Sequence, residues 1–162
     1  MPDAGAAPAD GELPAIDLAD LPSRRGEEIG VSDWIEITQA MVDRFADLTF
    51  DHSWIHVDPA RAASESPYRT TIAHGFLSLS LLSRLLHGAV RVGGVRFGIN
   101  AGFDRVRMTD AVPVGSRVRA RFVLAEVAPI DGGLRLGWDV SIERDGSDKP
   151  VLVARWLTRL LG

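Results

Sequence analysis

The stretch that decides the fold reads His74-Gly75-Phe76-Leu77-Ser78-Leu79-Ser80-Leu81-Leu82-Ser83-Arg84-Leu85-Leu86-His87. On a helical wheel Leu77, Leu79, Leu81, Leu82, Leu85 and Leu86 spread over more than half of the circumference. A helix this apolar is mostly buried. Ser80, Ser83, Arg84 and His87 gather into one narrow polar stripe, which must face water, a cavity or a partner.

Outward from this helix toward the C-terminus, the period changes after Gly88 from helical to two. Arg117, Arg119 and Arg121 alternate with Val118, Ala120, Phe122 and Leu124. Leu134, Leu136, Trp138, Val140 and Ile142 alternate with Arg135, Asp139, Ser141 and Glu143, and Leu152, Ala154, Trp156 and Leu160 share one face of the last segment. Each reads as a strand with one wet and one dry face. Pro113 to Gly115, Asp131-Gly132-Gly133 and Asp145-Gly146 supply turns. The second half is therefore an antiparallel meander, and one long apolar helix laid on it makes an α+β domain.

Toward the N-terminus, Thr38 is a plausible N-cap for a helix over Gln39 to Leu48, with Met41, Val42, Phe45 and Leu48 on its apolar side. Asp51 to His56 follows as a loop. Asp58-Pro59 opens a short helix to about Ser64, because proline suits the first helical position. Ser66-Pro67 ends it. Residues 1 to 13, rich in Ala, Gly, Pro and Asp, read as a mobile tail. Residues 14 to 162 read as one domain without internal repeats.

The chain has 162 residues, enough for one sizeable core, and a net charge of -4 with a pI near 5.5. That balance argues against nonspecific binding to nucleic acid or to an anionic membrane. There is no cysteine, which excludes disulfides, thiolate nucleophiles and Cys-based metal sites. No apolar run is long enough to span a bilayer, and the acidic start lacks the basic and apolar parts of a secretory signal. The expected compartment is the cytoplasm.

Three constellations carry chemistry. Asp51-His52-Ser53-Trp54-Ile55-His56 holds one carboxylate and two imidazoles within a short loop. These are the commonest proton-transfer groups at neutral pH, and held on one water they could add it to an activated double bond. Such histidines also often only bond to backbone. A metal held by Asp51, His52 and His56 is a further reading, though no further ligand cluster accompanies it. Second, Gly75 at the start of a buried helix lets a substrate approach free N–H groups that favour an oxyanion. The alternative, equally weighted, is that Gly75 only relieves packing against the sheet. Third, Ser83 with Ser80 and His87 reads as a solvated stripe or as serines bonding to their own helix backbone. The residue types also allow a Ser-His-Asp triad, against which no Gly-x-Ser-x-Gly elbow precedes either serine. Arg105 and Arg107 could meet carrier phosphates, or simply be solvated.

Asp51-x-x-x-x-His56, then Val57-Asp58-Pro59, then Ala73-His74-Gly75-Phe76-Leu77, resembles the MaoC-like dehydratases. Those are hot-dog-fold proteins that include the (R)-specific enoyl-CoA hydratases. The Trp54-Ile55-His56-Val57-Asp58 string is similar to the NodN-like branch. Gly102 to Arg107 and Val112 to Ser116 look like the family's later strands, so the resemblance covers residues 25 to 160.

It implies a hot dog, an antiparallel sheet wrapped around the long helix, and a homodimer joined edge to edge. It implies that Asp51 and His56 grip the water, His56 as base and Asp51 as partner in proton delivery. It implies that Gly75 N–H polarises the thioester carbonyl, with His74 beside it at the substrate, and that Ser83 supports the catalytic loop. The expected reaction is reversible hydration of a trans-2-enoyl thioester, on coenzyme A or on acyl carrier protein, to an (R)-3-hydroxyacyl thioester. No metal, nicotinamide or flavin is required. Ser53 and Trp54 stand where many of these hydratases carry Asn and Pro, and Trp54 should add bulk near the pocket. A hot-dog thioesterase and a non-catalytic acyl-CoA-binding module are the competing expectations.

Overall fold

The structure, a computed structural model, describes residues 13–162, so the reading of the first residues as a tail falls almost wholly outside the described residues. The described chain opens with strand β1 (Ala15–Asp17), a 3-10 segment over Leu18–Arg24, and strands β2 (Glu28–Val31) and β3 (Ile35–Glu36). Helices α1 (Gln39–Thr49), α2 (Trp54–Val57) and α3 (Pro59–Glu65) follow. Then come α4 (Gly75–Ser80), α5 (Leu82–His87) and strands β4 (Arg91–Gly93), β5 (Phe97–Met108), β6 (Arg117–Ile130), β7 (Gly133–Arg144) and β8 (Leu152–Leu161).

The caps act as the sequence suggests. Thr38 Oγ1 accepts from Met41 N–H at 3.3 Å to start α1, and Asp58 Oδ1 accepts from Arg61 N–H at 2.9 Å to start α3, with Pro59 behind it. On α1, Val42 and Ala46 are buried and Met41 and Phe45 pack against the core. Leu48 does not join them: it is 77% exposed. The last turn of α1 has left the core, and Phe50 beyond it turns the chain away in the left-handed region at φ 60°.

The apolar helix is one rod with a break. Its two segments meet at Leu81, yet Leu81 N–H still bonds to Leu77 O and Leu85 N–H to Leu81 O. Ser80 Oγ donates back to Phe76 O at 2.7 Å, a contact that bends helices, and it sits at the break. Leu77, Leu82 and Leu85 face the core.

The main sheet runs β2-β6-β7-β8-β5, with β3 also pairing β6, and all of its pairings are antiparallel. β6 and β7 pair from Val118↔Arg144 to Ile130↔Gly133, around a turn where Gly132 takes φ 73°. The dry face carries Val118, Ala120, Phe122, Leu124, Leu136, Trp138, Val140, Ile142, Leu152, Ala154 and Trp156, all buried against the rod. The Trp138 indole, within the core, donates to Thr158 Oγ1 at 2.9 Å. At Gly30 a Cβ would collide with the Ala89 carbonyl, so β2 lies directly on the end of the rod. β1 and β4 form a separate parallel pair. This is the α+β architecture expected, a sheet curled around a central helix. β5 forms one edge of the sheet, and β2 and β3 form the other.

The wet face is laced with ion pairs. Glu143 receives Arg119 and Arg121, and Arg155 reaches Asp139 and Glu126. Arg117 reaches Asp145. No helix among the described residues is long and apolar enough to cross a membrane.

Candidate active site

The Asp51–His56 segment is only partly a loop, because Trp54–Val57 closes into one helical turn that carries His56. Its strand-like neighbour Thr71–His74 runs beside it and leads into α4. Two contacts bind the segments: Ile72 N–H donates to Ile55 O at 3.1 Å, and His56 Nδ1 lies 2.7 Å from Ile72 O. A carbonyl can only accept, so Nδ1 carries the hydrogen of His56 and Nε2 keeps its lone pair. Gln39, the first residue of α1, adds a brace. Its Nε2 donates to His56 O at 2.8 Å and its Oε1 accepts from the buried Thr71 hydroxyl at 2.5 Å.

The three groups Asp51, His56 and His74 each bring a carboxylate oxygen or ring nitrogen to within 4.8 Å of the others. One water making two hydrogen bonds of about 2.8 Å fits between groups so spaced. The spacing would also suit a shared ion, since a histidine that donates one ring N–H to a carbonyl, as His56 Nδ1 and His74 Nε2 do to Ile72 and Asp51, can ligate through its other nitrogen. The sequence alternative of Asp51, His52 and His56 is not brought together. His52 turns out to Asp47 at 3.8 Å, at the surface.

A cavity of about 420 Å³ opens beside this group. His56, Tyr68, Gly75, Ser78, Met108 and Asp110 are among its walls. His56 and Gly75 thus face one space. Asp51 is not in the wall; it stands beside it, 57% exposed, with Ser53 N–H 3.4 Å from its Oδ1. Gly75 is tightly placed, since a Cβ there would meet Met108 Cγ at 3.0 Å.

Three residues expected at the site lie away from this cavity. His74 does not line it: its ring is 3% exposed and turned to the Asp51–His56 segment, Nε2 lying 2.9 Å from Asp51 O. Ser83 does not support the loop within this chain. It lies eight residues beyond Gly75, about 12 Å along a helix at 1.5 Å per residue, and lines a different cavity of about 230 Å³ with Leu86, His87, Ile99, Asn100 and Trp156. Trp54 does not crowd the pocket, because its ring lies under the Arg61 guanidinium at 4.5 Å. Arg105 and Arg107 are exposed on β5 and do not line the first cavity.

Ser78 was missed by the sequence reading. It is buried and lies in the cavity wall, three residues after Gly75 and so on the same helix face. That spacing was the available signal. Tyr68 and Gln39 had none, since only tertiary packing brings them to the site; Thr71 lay within the stretch singled out around Gly75, but not as a partner of Gln39.

Comparison with known proteins adds three findings. The family model described as MaoC like domain matches residues 20–135. The chain is 49% identical over 143 residues to a 3-hydroxyacyl-thioester dehydratase Z of Mycobacterium tuberculosis (strain ATCC 25618 / H37Rv), covering 88% of this chain and 94% of that protein. It is 47% identical over 145 residues to Nodulation protein N of Rhizobium leguminosarum bv. viciae, covering 88% and 90%. Among solved structures, the (R)-hydratase from A. caviae involved in PHA biosynthesis superposes with a TM-score of 0.67 at 24% identity, over 83% of this chain and 96% of that one. That likeness concerns the fold.

Proposed function

This chain belongs to the MaoC-like domain family, and from that premise we propose that it is a hydro-lyase that adds water reversibly across the double bond of a 2-enoyl thioester, giving an (R)-3-hydroxyacyl thioester. The observation that carries the reading is the pairing of Asp51 and His56 at one-water spacing beside the cavity that Gly75 shares. The near-half identity to a 3-hydroxyacyl-thioester dehydratase along almost its whole length supports it.

The chemistry follows from the hydrogen positions. His56 Nδ1–H is committed to Ile72 O, so Nε2 is the free base. Water lies between Nε2 and the Asp51 carboxylate, which accepts its second O–H and aims its lone pair at C3. As oxygen bonds to C3, Nε2 takes one proton and the electron pair of the double bond moves onto the thioester oxygen. Gly75 N–H stabilises that oxygen; a donor of this kind is typically worth on the order of 2.7–4 kcal/mol of barrier. The proton then passes to C2 with Asp51 as partner in delivery, which completes the addition of water.

The acyl carrier is a coenzyme A or acyl-carrier-protein thioester. The working unit is a homodimer: β5 is an edge strand, and its Phe97, Ile99 and Met108 are each 44% exposed. An unpaired edge with apolar side chains is a pairing surface. Antiparallel pairing of two β5 strands about their middles would set the Ile99–Asn100 end of one copy, with its Ser83 cavity, beside the Met108 end and Gly75 cavity of the other. It would also help cover Asp51, whose chain neighbour Phe50 is 86% exposed.

Purified protein mixed with crotonyl-CoA should bleach the enoyl-thioester absorbance without releasing free thiol. Thiol release at the same rate would instead establish a thioesterase. Tight acyl-CoA binding with no turnover at any chain length would leave only a binding module.

A further inference from the structure

His74 is an odd residue for its place. It is buried at 3% exposure, yet its Nδ1 has no hydrogen-bond partner, and leaving a buried nitrogen unpaired is unfavourable. An apolar side chain would fill the same space beside Phe45, whose ring centre is 5.1 Å away, without that penalty. What an apolar side chain could not do is what the other edge of the ring does. Nε2 lies 2.9 Å from Asp51 O, and because a carbonyl only accepts, Nε2 carries the hydrogen. The ring face meanwhile lies on the His56 ring, with centres 3.8 Å apart and planes 28° from parallel.

We propose that His74 is a positioning residue for the Asp51–His56 pair, its Nε2–H holding the Asp51 main chain and its ring face holding the His56 imidazole. This rests on the reading of that pair as the water-holding site. His56 would otherwise be fixed only at its edge, by Ile72 O; the stacked ring removes the remaining freedom, rotation about that hydrogen bond. Asp51 is the more dependent of the two. Its carboxylate is largely in solvent, the Ser53 N–H contact at 3.4 Å is long, and the bond from His74 reaches it from the helix side. His74 immediately precedes Gly75, so one short segment places both the water-holding pair and the oxyanion donor. Their relative position is thereby set by one hydrogen bond and one ring contact to the residue that is covalently joined to Gly75.

Two substitutions separate the two functions of the ring. His74→Phe keeps an aromatic plate for His56 and removes the donor; His74→Gln keeps an amide donor and removes the plate. With crotonyl-CoA, His74→Phe is expected to lower kcat by about 100-fold, the scale of loss for a misplacement near 1 Å, with KM unchanged. His74→Gln is expected to recover most of that loss. A wild-type kcat in His74→Phe overturns the proposal. So does a loss that appears in KM rather than kcat, since a residue that positions the reacting groups acts on turnover.

Should the variants fail to fold, as thermal melting would show, imidazole nitrogen shifts of the 15N-histidine wild-type protein decide instead. Hydrogen on His74 Nε2 supports the contact, and hydrogen on Nδ1 alone overturns it. If the wild type does not hydrate crotonyl-CoA, the hydratase reading falls, while the nitrogen shifts still settle whether His74 holds Asp51.

Discussion

Gly75 illustrates how little room a single position has. A methyl group added there meets Met108 Cγ at 3.0 Å and Cε at 3.3 Å, the flexible end of a side chain rather than backbone. Gly75→Ala should therefore fold, but Met108 must be pushed toward the space where the thioester lies, and kcat should fall on the order of 10–100-fold. Gly75→Ala combined with Met108→Ala should regain part of that rate; no gain in the double variant would mean that crowding by Met108 is not the cause. Asp51→Asn and His56→Ala should each lower turnover by about 10²–10⁴-fold, the usual contribution of a general acid or base. Full activity in both, measured by enoyl absorbance, would remove the site assignment. These residues were legible as a pair in sequence because their types and nearness suggest proton transfer. Their partner His74 was legible as a site residue but not in its role, because nothing in sequence says which way a ring turns.

Elements set where those residues can go. The helix was expected unbroken from His74 to His87, and the Ser80 back-bond divides it at Leu81. Ser83 was expected at the loop, and the simple rise of the helix carries it to another cavity. On the sheet, the alternation of arginines and apolar residues gave the strands correctly, and the wet face repays attention at Glu143. Burial there is the largest single influence and pushes its carboxyl up, but the hydrogen bonds and charges of Arg119 and Arg121 together outweigh it, so its pKa lies below the ordinary carboxylate value. A folded value below the unfolded one means stability that is present above about pH 4.3 and lost as pH falls through the lower folded value. Glu143→Gln should cost about 1 kcal/mol at pH 7, read by urea unfolding, and the gap to wild type should shrink as pH drops below about 4. A gap that widens in acid would show that the carboxylate is not what stabilises this face.

At the scale of the whole molecule, the proposed dimer is the testable feature. Ile99 lies on the edge strand β5 and in the wall of the Ser83 cavity. Ile99→Asp places a charge on that edge and should convert a dimer to monomers in sedimentation experiments. Activity should fall in the same variant by at least about ten-fold, because Asp51 loses its cover and electrostatic steps weaken when water enters. A dimer that persists, or a fully active monomer, would each show that β5 pairing is not what completes the site.

The sequence by itself determined the elements: a buried helix from its leucine pattern, strands from their alternation, and caps at Thr38 and Asp58, with Asp51 and His56 marked as a candidate pair by residue type and by the family resemblance. Those readings depend on periodicity and on residue type, which are local. Tertiary structure decided which of the singled-out residues meet. It brought Gln39 and Ser78 to the candidate site, sent Ser83 and His52 elsewhere, and turned His74 away from the cavity onto Asp51. Such outcomes depend on helix rise, on the bend at Leu81 and on which face packs against the sheet, and these are fixed only when distant parts of the chain share one core.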